Sequence, residues 1–226
     1  AMEAAWLRGR IPLLVGGTML YFRALRQGLA ALPPGDPDVR AALDAEAARS
    51  GWPALHERLR AVDPAAASAI SASDRQRIQR ALEVWMLTGR RISALQAGSA
   101  SGVEARYCTL ALHCADRSRL HARIVERFDT MLAAGFVAEV ARLHARGDLS
   151  PELPSLRAVG YRQVWAHLEG KLSLEQARYR GIVATRQLAK RQMTWLRTEA
   201  GLSRLAVDEP DLPARANEVI RRQLGL

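Results

Sequence analysis

Hydrophobic residues recur at helical spacing along most of this chain, but two short runs are continuously apolar. Continuous apolar character over so few residues predicts buried strands of a parallel sheet at 11–15 and 107–113. A turn at 16–18 ends the first run, and residues 19–29 return to helical spacing. This order of strand, turn and helix predicts one piece of an α/β core.

The middle of the chain, residues 33–97, contains helix signals and no strand pattern. Asp36 and Asp63 each precede a proline, which is the pattern of an N-cap followed by the first helical residue. Ser73, three residues before Gln76, predicts a capping box for the next helix. The sequence therefore predicts a helical insertion between two α/β pieces.

After the second apolar run, Asp116 or Ser118 predicts the N-cap of a helix with one apolar stripe. Gly135 predicts an interruption of that helix, and Pro151 lies in a predicted loop. Further helices are predicted at 161–168, 174–181 and 182–197 and after Pro213.

These elements predict the α/β class, with a parallel sheet and an all-α insertion. Because a covered α/β sheet usually has four or more strands, two strands predict that the core is incomplete in this chain. The alternative is that the strand interpretation is wrong. We expect residues 1–32 to form part of the core, 33–97 the insertion, and 98–226 the rest of the core with C-terminal helices. Residues 96–102 are expected to form the return linker.

The chain has 226 residues and a net charge of +10. This charge makes a polyanionic partner such as nucleic acid a serious hypothesis. Only Lys171 and Lys190 are lysines, so nearly all the positive charge is on arginine. Arginine suits bidentate contact with phosphate, but GC-rich codon usage would produce the same bias, and both explanations stay open here.

Several classes of protein are excluded by composition. Cys108 and Cys114 are too far apart in an extended segment to form a disulfide, so we expect two free thiols in a reducing compartment. The five histidines and two cysteines are not at zinc spacing. No apolar run is long enough to span a bilayer, and no signal-peptide pattern begins the chain. We expect a soluble, cytoplasmic protein that does not bind membranes.

Three features suggest chemistry, and each also has a simpler interpretation. Gly16, Gly17 and Thr18 could hold a phosphate or diphosphate at a helix N-terminus, or could form only a tight turn. Arg127 lies at the edge of an apolar stripe, so its anionic partner could be a bound diphosphate or a carboxylate of the protein.

The third feature is the concentration of basic residues at 157–197, where nine basic side chains accompany two acidic ones. Arg186, Lys190 and Arg197 project within about 40 degrees of one another on a helix and predict a basic ridge. A second group, residues 75–80, lies in the helical insertion. A polyanion held between the two groups, or a solvated helix face, would explain this pattern.

Four sequence blocks carry a family resemblance: IPLLVGGTMLYF at 11–22, DRQRIQRALEV at 74–84, RAVGYRQ at 157–163 and TRQLAKRQMTWLR at 185–197. Together they resemble the tRNA dimethylallyltransferases over essentially all 226 residues. The resemblance implies transfer of a dimethylallyl group from dimethylallyl diphosphate to the exocyclic amine of the adenosine 3′ of the anticodon. It also implies a fold similar to P-loop nucleoside triphosphate hydrolases, a flipped target base and a monomer.

The resemblance assigns roles to individual residues. Thr18 is similar to the threonine beside the reacting amine, and Arg127 to the arginine that binds the leaving diphosphate, with Gly16 and Gly17 also at the diphosphate. Thr18 and Arg40 match tRNA contacts. The remaining residues that match tRNA-contacting segments are Gln76, Arg77, Ile78, Gln79, Arg80, Arg157, Ala158, Val159, Gly160, Tyr161, Arg162, Ala184, Thr185, Arg186, Gln187, Leu188, Ala189, Lys190 and Arg191.

One departure from the family pattern affects the expected activity. The phosphate-binding loop G-x-x-x-x-G-K-S/T and the aspartate that acts as base do not occur in this sequence. We therefore expect them upstream, together with the ligands of Mg²⁺, and expect this chain alone to be inactive. The rival interpretations are a non-catalytic basic RNA-binding module and a small-molecule P-loop kinase.

Overall fold

Helices dominate the computed structural model, which describes residues 1–98 and 101–225, and one small parallel sheet accompanies them. The two strands are β1 (Leu110–His113) and β2 (Ser203–Ala206). In chain order the helices are α1 (Met2–Trp6), α2 (Met19–Gln27), α3 (Pro37–Ser50), α4 (Trp52–Val62), α5 (Pro64–Ala69), α6 (Arg75–Thr88), α7 (Ile92–Ala97), α8 (Arg117–Ala133), α9 (Phe136–His144), α10 (Tyr161–Leu168), α11 (Leu174–Thr198) and α12 (Leu212–Leu224).

Two compact units share the chain. The helical unit is Thr18–Ala105, and the sheet unit combines Ala1–Gly17 with the chain from Arg106 onward. The predicted domain boundaries at 32 and 97 stay predictions. Positions 99 and 100 of the predicted linker lie outside the described residues, as does residue 226 of the last predicted segment.

Local capping explains where α3, α5 and α6 of the helical unit begin. Asp36 accepts hydrogen bonds from the backbone of Asp38 and Val39, and Asp63 accepts one from Ala66, as their positions before proline predict. The predicted capping box at Ser73 is wrong. Helix α6 begins at Arg75, so the residue directly before it, Asp74, is the N-cap and accepts from the Arg77 backbone.

The core of the helical unit is formed by side chains from helices α3 to α7. Leu55, Leu59, Ile78 and Leu82 have no exposed side-chain surface. Burying each such side chain contributes roughly 1.5–3 kcal/mol relative to leaving it in water. This packing holds α4 and α6 together and sets the direction in which the polar side of α6 faces.

The sheet unit contains the predicted second strand but not the predicted first one. β1 pairs in parallel with β2, with Leu110 opposite Ser203 and His113 opposite Ala206. Residues 11–15 form no strand, and their side chains are largely exposed, with Leu13 at 80% and Val15 at 87%. A strand requires a neighbour for its backbone hydrogen bonds, and among the described residues none pairs with this segment.

Helix α11 runs without a break through Gly181, so the predicted division into two helices is wrong. A Cβ atom at position 181 would lie 2.3 Å from Cζ of Phe128. The glycine therefore allows α11 to approach the ring of Phe128 on α8, where Ile124, Phe128 and Ile182 form a small core. Gly181, which the sequence suggested as a helix end, instead permits close packing of α11 against Phe128.

Two predicted features of helices α8 and α9 are confirmed. Asp116 caps α8, and Gly135, with a φ of 94°, separates α8 from α9. Cys108 and Cys114 are free thiols. Among the residues that the structure describes, no helix combines the length and hydropathy needed to cross a bilayer.

Candidate nucleic-acid interface

The glycine turn is joined to helix α11. The side-chain amide of Gln192 donates a hydrogen bond of 2.9 Å to the carbonyl oxygen of Gly17. Gly16, Gly17 and Thr18 are all exposed. Thr18 occupies the N-cap position of α2, but its side chain makes no capping hydrogen bond, so its hydroxyl is not used to begin the helix. The N-cap position of Thr18 agrees with the interpretation of residues 16–18 as a tight turn, and the hydroxyl is left without a capping hydrogen bond.

Arg127 lies on the exposed side of α8, although its neighbours Ile124 and Phe128 are buried. The stripe at 124 and 128 packs against Ile182 of α11, and Arg127 lies at its edge, as predicted, with its side chain exposed to solvent. Among the described residues, no carboxylate pairs with Arg127, in contrast to Arg178, which pairs with Asp129 at 2.7 Å. Its guanidinium is available for a dissolved or bound anion.

Residues 157–162 connect the loop before α10 to its first turn. Arg157 forms an exposed ion pair with Glu152, and Arg162 is exposed. Gly160 is the N-cap of α10 with a φ of 97°, and its backbone amide donates to the Gln163 side chain. Ala158 is exposed and Val159 half-buried, while Tyr161 donates its hydroxyl to Glu139.

The segment 184–191 lies in the second half of α11. Gln187, Leu188, Lys190 and Arg191 are exposed, whereas Ala184, Thr185, Arg186 and Ala189 are half-buried. Ala189 packs against the core with Ile182, and the Thr185 hydroxyl donates to the Gly181 carbonyl. The Nε–H of Arg186 is buried and has no hydrogen-bond acceptor among the described residues. The predicted ridge thus exposes Lys190 and Arg197, while Arg186 is partly enclosed.

In the helical unit, a buried carboxylate organises two of the predicted arginines. The side chain of Glu83 has no exposed surface and accepts from Arg40 at 2.8 and 3.2 Å and from Arg80 at 2.6 Å. It also accepts from the backbone N–H of Asp36, at the start of α3. Arg40 and Arg80 remain 48% and 28% exposed, so each guanidinium keeps an accessible side.

The hydrogen bonds to Glu83 determine its charge state. Burial alone would raise the pKa of this carboxyl, but the donors from Arg40, Arg80 and Asp36 outweigh that effect and hold the pKa below its usual value. Glu83 is therefore ionised at neutral pH. Sequence reasoning missed this residue, although Arg80 and Glu83 are three apart on one helix and the spacing permits an ion pair.

The other predicted contacts in this unit differ in accessibility. Gln76 is exposed, Arg77 pairs with Asp74, and Gln79 donates to Asp44 at 2.8 Å. The side chain of Ile78 is fully buried in the core, so only its backbone could face a ligand.

Comparison with known proteins gives consistent matches. The sequence model described as IPP transferase matches residues 1–199. The chain is 56% identical to a tRNA dimethylallyltransferase of Paraburkholderia xenovorans, covering 96% of this chain and 70% of the relative. It is 53% identical to the enzyme of the same name from Ralstonia nicotianae, covering 99% of this chain and 71% of that protein.

Solved structures agree with these matches. A full-length tRNA isopentenylpyrophosphate transferase from Bacillus halodurans has a TM-score of 0.64 at 32% identity, covering 99% of this chain and 70% of that one. A eukaryotic dimethylallyltransferase acting on tRNA has a TM-score of 0.67 at 23% identity, covering 96% of this chain and 57% of that one. The second match indicates similarity of fold.

Proposed function

This chain belongs to the IPP transferase family, and from that membership we propose that it transfers a dimethylallyl group from dimethylallyl diphosphate to tRNA. The acceptor is the exocyclic N6 amine of the adenosine immediately 3′ of the anticodon. The observation that carries the proposal is an identity above one half with tRNA dimethylallyltransferases over nearly the whole chain. The separate basic positions in both units support a polyanionic substrate.

The reaction exchanges one bond for another. The amine nitrogen of the adenosine attacks C1 of the dimethylallyl group, and the bond from C1 to the diphosphate oxygen breaks. The electron pair leaves with the diphosphate, and a general base takes the amine proton. The growing charge on the diphosphate requires a preorganised cation. Arg127 fits this role because it is accessible and has no carboxylate partner among the described residues. The free hydroxyl of Thr18 fits a position beside the amine.

We assign the contacts with the anticodon arm to Arg40 and residues 76–80 of the helical unit and to residues 157–162 and 184–191 of the sheet unit. In this proposal the parallel sheet is part of a P-loop-like core, residues 33–97 are an insertion that binds the anticodon arm, and the enzyme acts as a monomer.

Magnesium is expected for the family. Among the described residues, no group of three or more His, Cys, Asp or Glu could hold a metal ion, so no step is assigned to it here.

The proposal is tested with the full-length protein and radiolabelled dimethylallyl diphosphate. The acceptor is an unmodified anticodon stem-loop, and the matched control RNA carries purine riboside, which lacks the N6 amine, at the acceptor position. We expect label in the first RNA and none in the second, with similar binding of both. Tight RNA binding without transfer to either would contradict the proposal and favour a non-catalytic RNA-binding module.

A further inference from the structure

A groove between α10 and α11 is lined by Tyr179 and Arg180, two residues to which the proposed tRNA contacts assign no role. Its volume is about 440 Å³, within the roughly 300–1,000 Å³ of small-ligand sites. The lining includes Arg162 and Ala166 from α10 and Tyr179, Arg180 and Val183 from α11. We call this feature the Tyr179 groove. It lies within the sheet unit.

The two arginines of the Tyr179 groove are unneutralised. Arg162 and Arg180 are exposed, and neither forms an ion pair or a side-chain hydrogen bond with any described residue. Their neighbours along the chain behave differently, since Arg157 pairs with Glu152 and Arg178 with Asp129. Free guanidinium groups on both walls of one groove are suited to phosphate, which each can contact through two N–H groups.

One acidic residue lies close to these cations. Glu175 lines the adjoining groove together with Tyr179 and Arg180. It also acts on Arg178, whose pKa is raised first by the hydrogen bond to Asp129 and further by the charges of Asp129 and Glu175. Arg162 and Arg180 therefore outnumber Glu175, whose charge also acts on Arg178, and the Tyr179 groove has a net positive charge.

Tyr179 supplies an aromatic surface beside these charges. Its side chain is 67% exposed, and it shares a helix face with Val183, one turn later. Proteins that bind single-stranded nucleic acid combine an exposed aromatic ring with unpaired arginines. A base stacks on the ring, and the arginines contact the phosphates. A diphosphate alone would use the arginines and leave the ring without a function.

We propose that the Tyr179 groove holds one unpaired nucleotide of the tRNA, with its base against Tyr179 and its flanking phosphates on Arg162 and Arg180. The inference rests on the proposed function and adds Tyr179 and Arg180 to the substrate-binding residues. The assigned segments 157–162 and 184–191 support it, because Arg162 and Ala184, at the ends of these segments, line the same groove. An RNA strand bound along both segments would pass through the Tyr179 groove.

The first test measures binding of the unmodified anticodon stem-loop to Tyr179→Ala and to the matched variant Tyr179→Phe, which keeps the ring. We expect Tyr179→Ala to weaken binding about 5- to 100-fold and Tyr179→Phe to bind as the wild type does. A fully paired RNA hairpin should not distinguish the two variants. Equal stem-loop binding by the wild type and Tyr179→Ala would overturn the proposal. Because the ring is largely exposed, both variants are expected to keep the wild-type melting temperature.

The second test concerns the arginine. Arg180→Gln is expected to reduce the slope of log K against log salt by about 0.7–0.9, the value for one phosphate contact. The control Arg222→Gln, at an exposed arginine on α12, should leave the slope unchanged. A wild-type slope for Arg180→Gln would contradict the phosphate contact.

A third test locates the nucleotide and separates this inference from the proposed function. Replacing Tyr179 by photoreactive benzoylphenylalanine should give a crosslink to one loop nucleotide, and a crosslink to the paired stem would overturn the proposal. In the full-length protein, Tyr179→Ala should raise KM for tRNA and leave KM for dimethylallyl diphosphate unchanged. A rise only in the second KM would assign the groove to the diphosphate. Absence of transfer by the wild type would instead contradict the proposed function.

Discussion

Gln192 donates a hydrogen bond to the carbonyl oxygen of Gly17 across 175 positions of sequence. This contact joins the glycine turn to the basic half of α11. A Cβ atom at position 17 would lie 2.3 Å from Nε2 of Gln192, so the amide reaches the backbone because residue 17 is glycine. The turn that precedes Thr18 is thus held by the helix that carries Lys190.

Gln192→Ala is expected to loosen this turn. Residues 11–17 have no strand partner among the described residues, so loss of one tertiary hydrogen bond should raise their opening frequency. Limited cleavage by chymotrypsin after Leu13 or Leu14 should become several-fold faster, and cleavage after Phe128 on α8 should be unaffected. Gln187→Ala, at an exposed position on the same helix as Gln192, is the control. Unchanged cleavage in Gln192→Ala would show that this bond does not restrain the turn.

Glu83→Gln is expected to destabilise the helical unit by about 1–3 kcal/mol, because it removes charge-assisted hydrogen bonds from a buried site. The cost stays moderate because Arg40 and Arg80 can still reach water. Urea unfolding followed by fluorescence of Trp52 and Trp85 measures it. Glu57→Gln, which breaks an exposed pair with Arg60, should cost about 0–1 kcal/mol. Equal losses of unfolding free energy in Glu83→Gln and Glu57→Gln would contradict the claim that the buried ion pair stabilises the fold more than the exposed one.

The same carboxylate predicts a pH dependence. The folded pKa of Glu83 lies below its unfolded value of about 4.3, so its stabilisation is complete above that value. Stability is lost as pH falls through the lowered folded pKa. The urea midpoint of the wild type should therefore decrease more steeply below about pH 4.3 than that of Glu83→Gln. Parallel curves for the two proteins would be inconsistent with this linkage.

Gly181→Ala should destabilise the sheet unit although alanine is the better helix former. The gain in helix propensity is about 1 kcal/mol, whereas overpacking against a buried ring costs about 1–3 kcal/mol and can cost more. The ring of Phe128 is 4% exposed and has little space to move. A double-mutant cycle with Phe128→Leu should show coupling of about 0.5–3 kcal/mol. Additive losses would mean that the two side chains do not meet.

Arg127→Ala in the full-length protein should slow transfer about 100-fold or more while tRNA affinity stays within about twofold. In the proposed mechanism its charge acts when the diphosphate departs and not when the RNA binds. Arg123→Ala, one turn earlier on α8 and also exposed, is the matched control and should change neither quantity. Equal losses of rate and affinity in Arg127→Ala would remove it from the leaving-group role.

Local signals account for what could be predicted. The caps at Asp36, Asp63 and Asp116 act on amides two or three residues away, so the sequence indicates them without knowledge of the fold. The strand at 203–206 was missed because a short segment with a serine and an arginine has no apolar run, and only its pairing with β1 makes it a strand. Whether residues 11–15 form a strand likewise depends on a neighbouring strand that accepts and donates their backbone hydrogen bonds.

The sequence by itself determined the helix caps at Asp36, Asp63 and Asp116, the helical character of residues 37–97 and the family blocks, since these depend on neighbouring residues and on residue identity. Only the tertiary structure decided which arginines are neutralised. Arg40 and Arg80 lie on a buried glutamate, whereas Arg127, Arg162 and Arg180 have no carboxylate partner among the described residues. An ion pair depends on where distant side chains meet, and formal charge counted along the chain contains no such information.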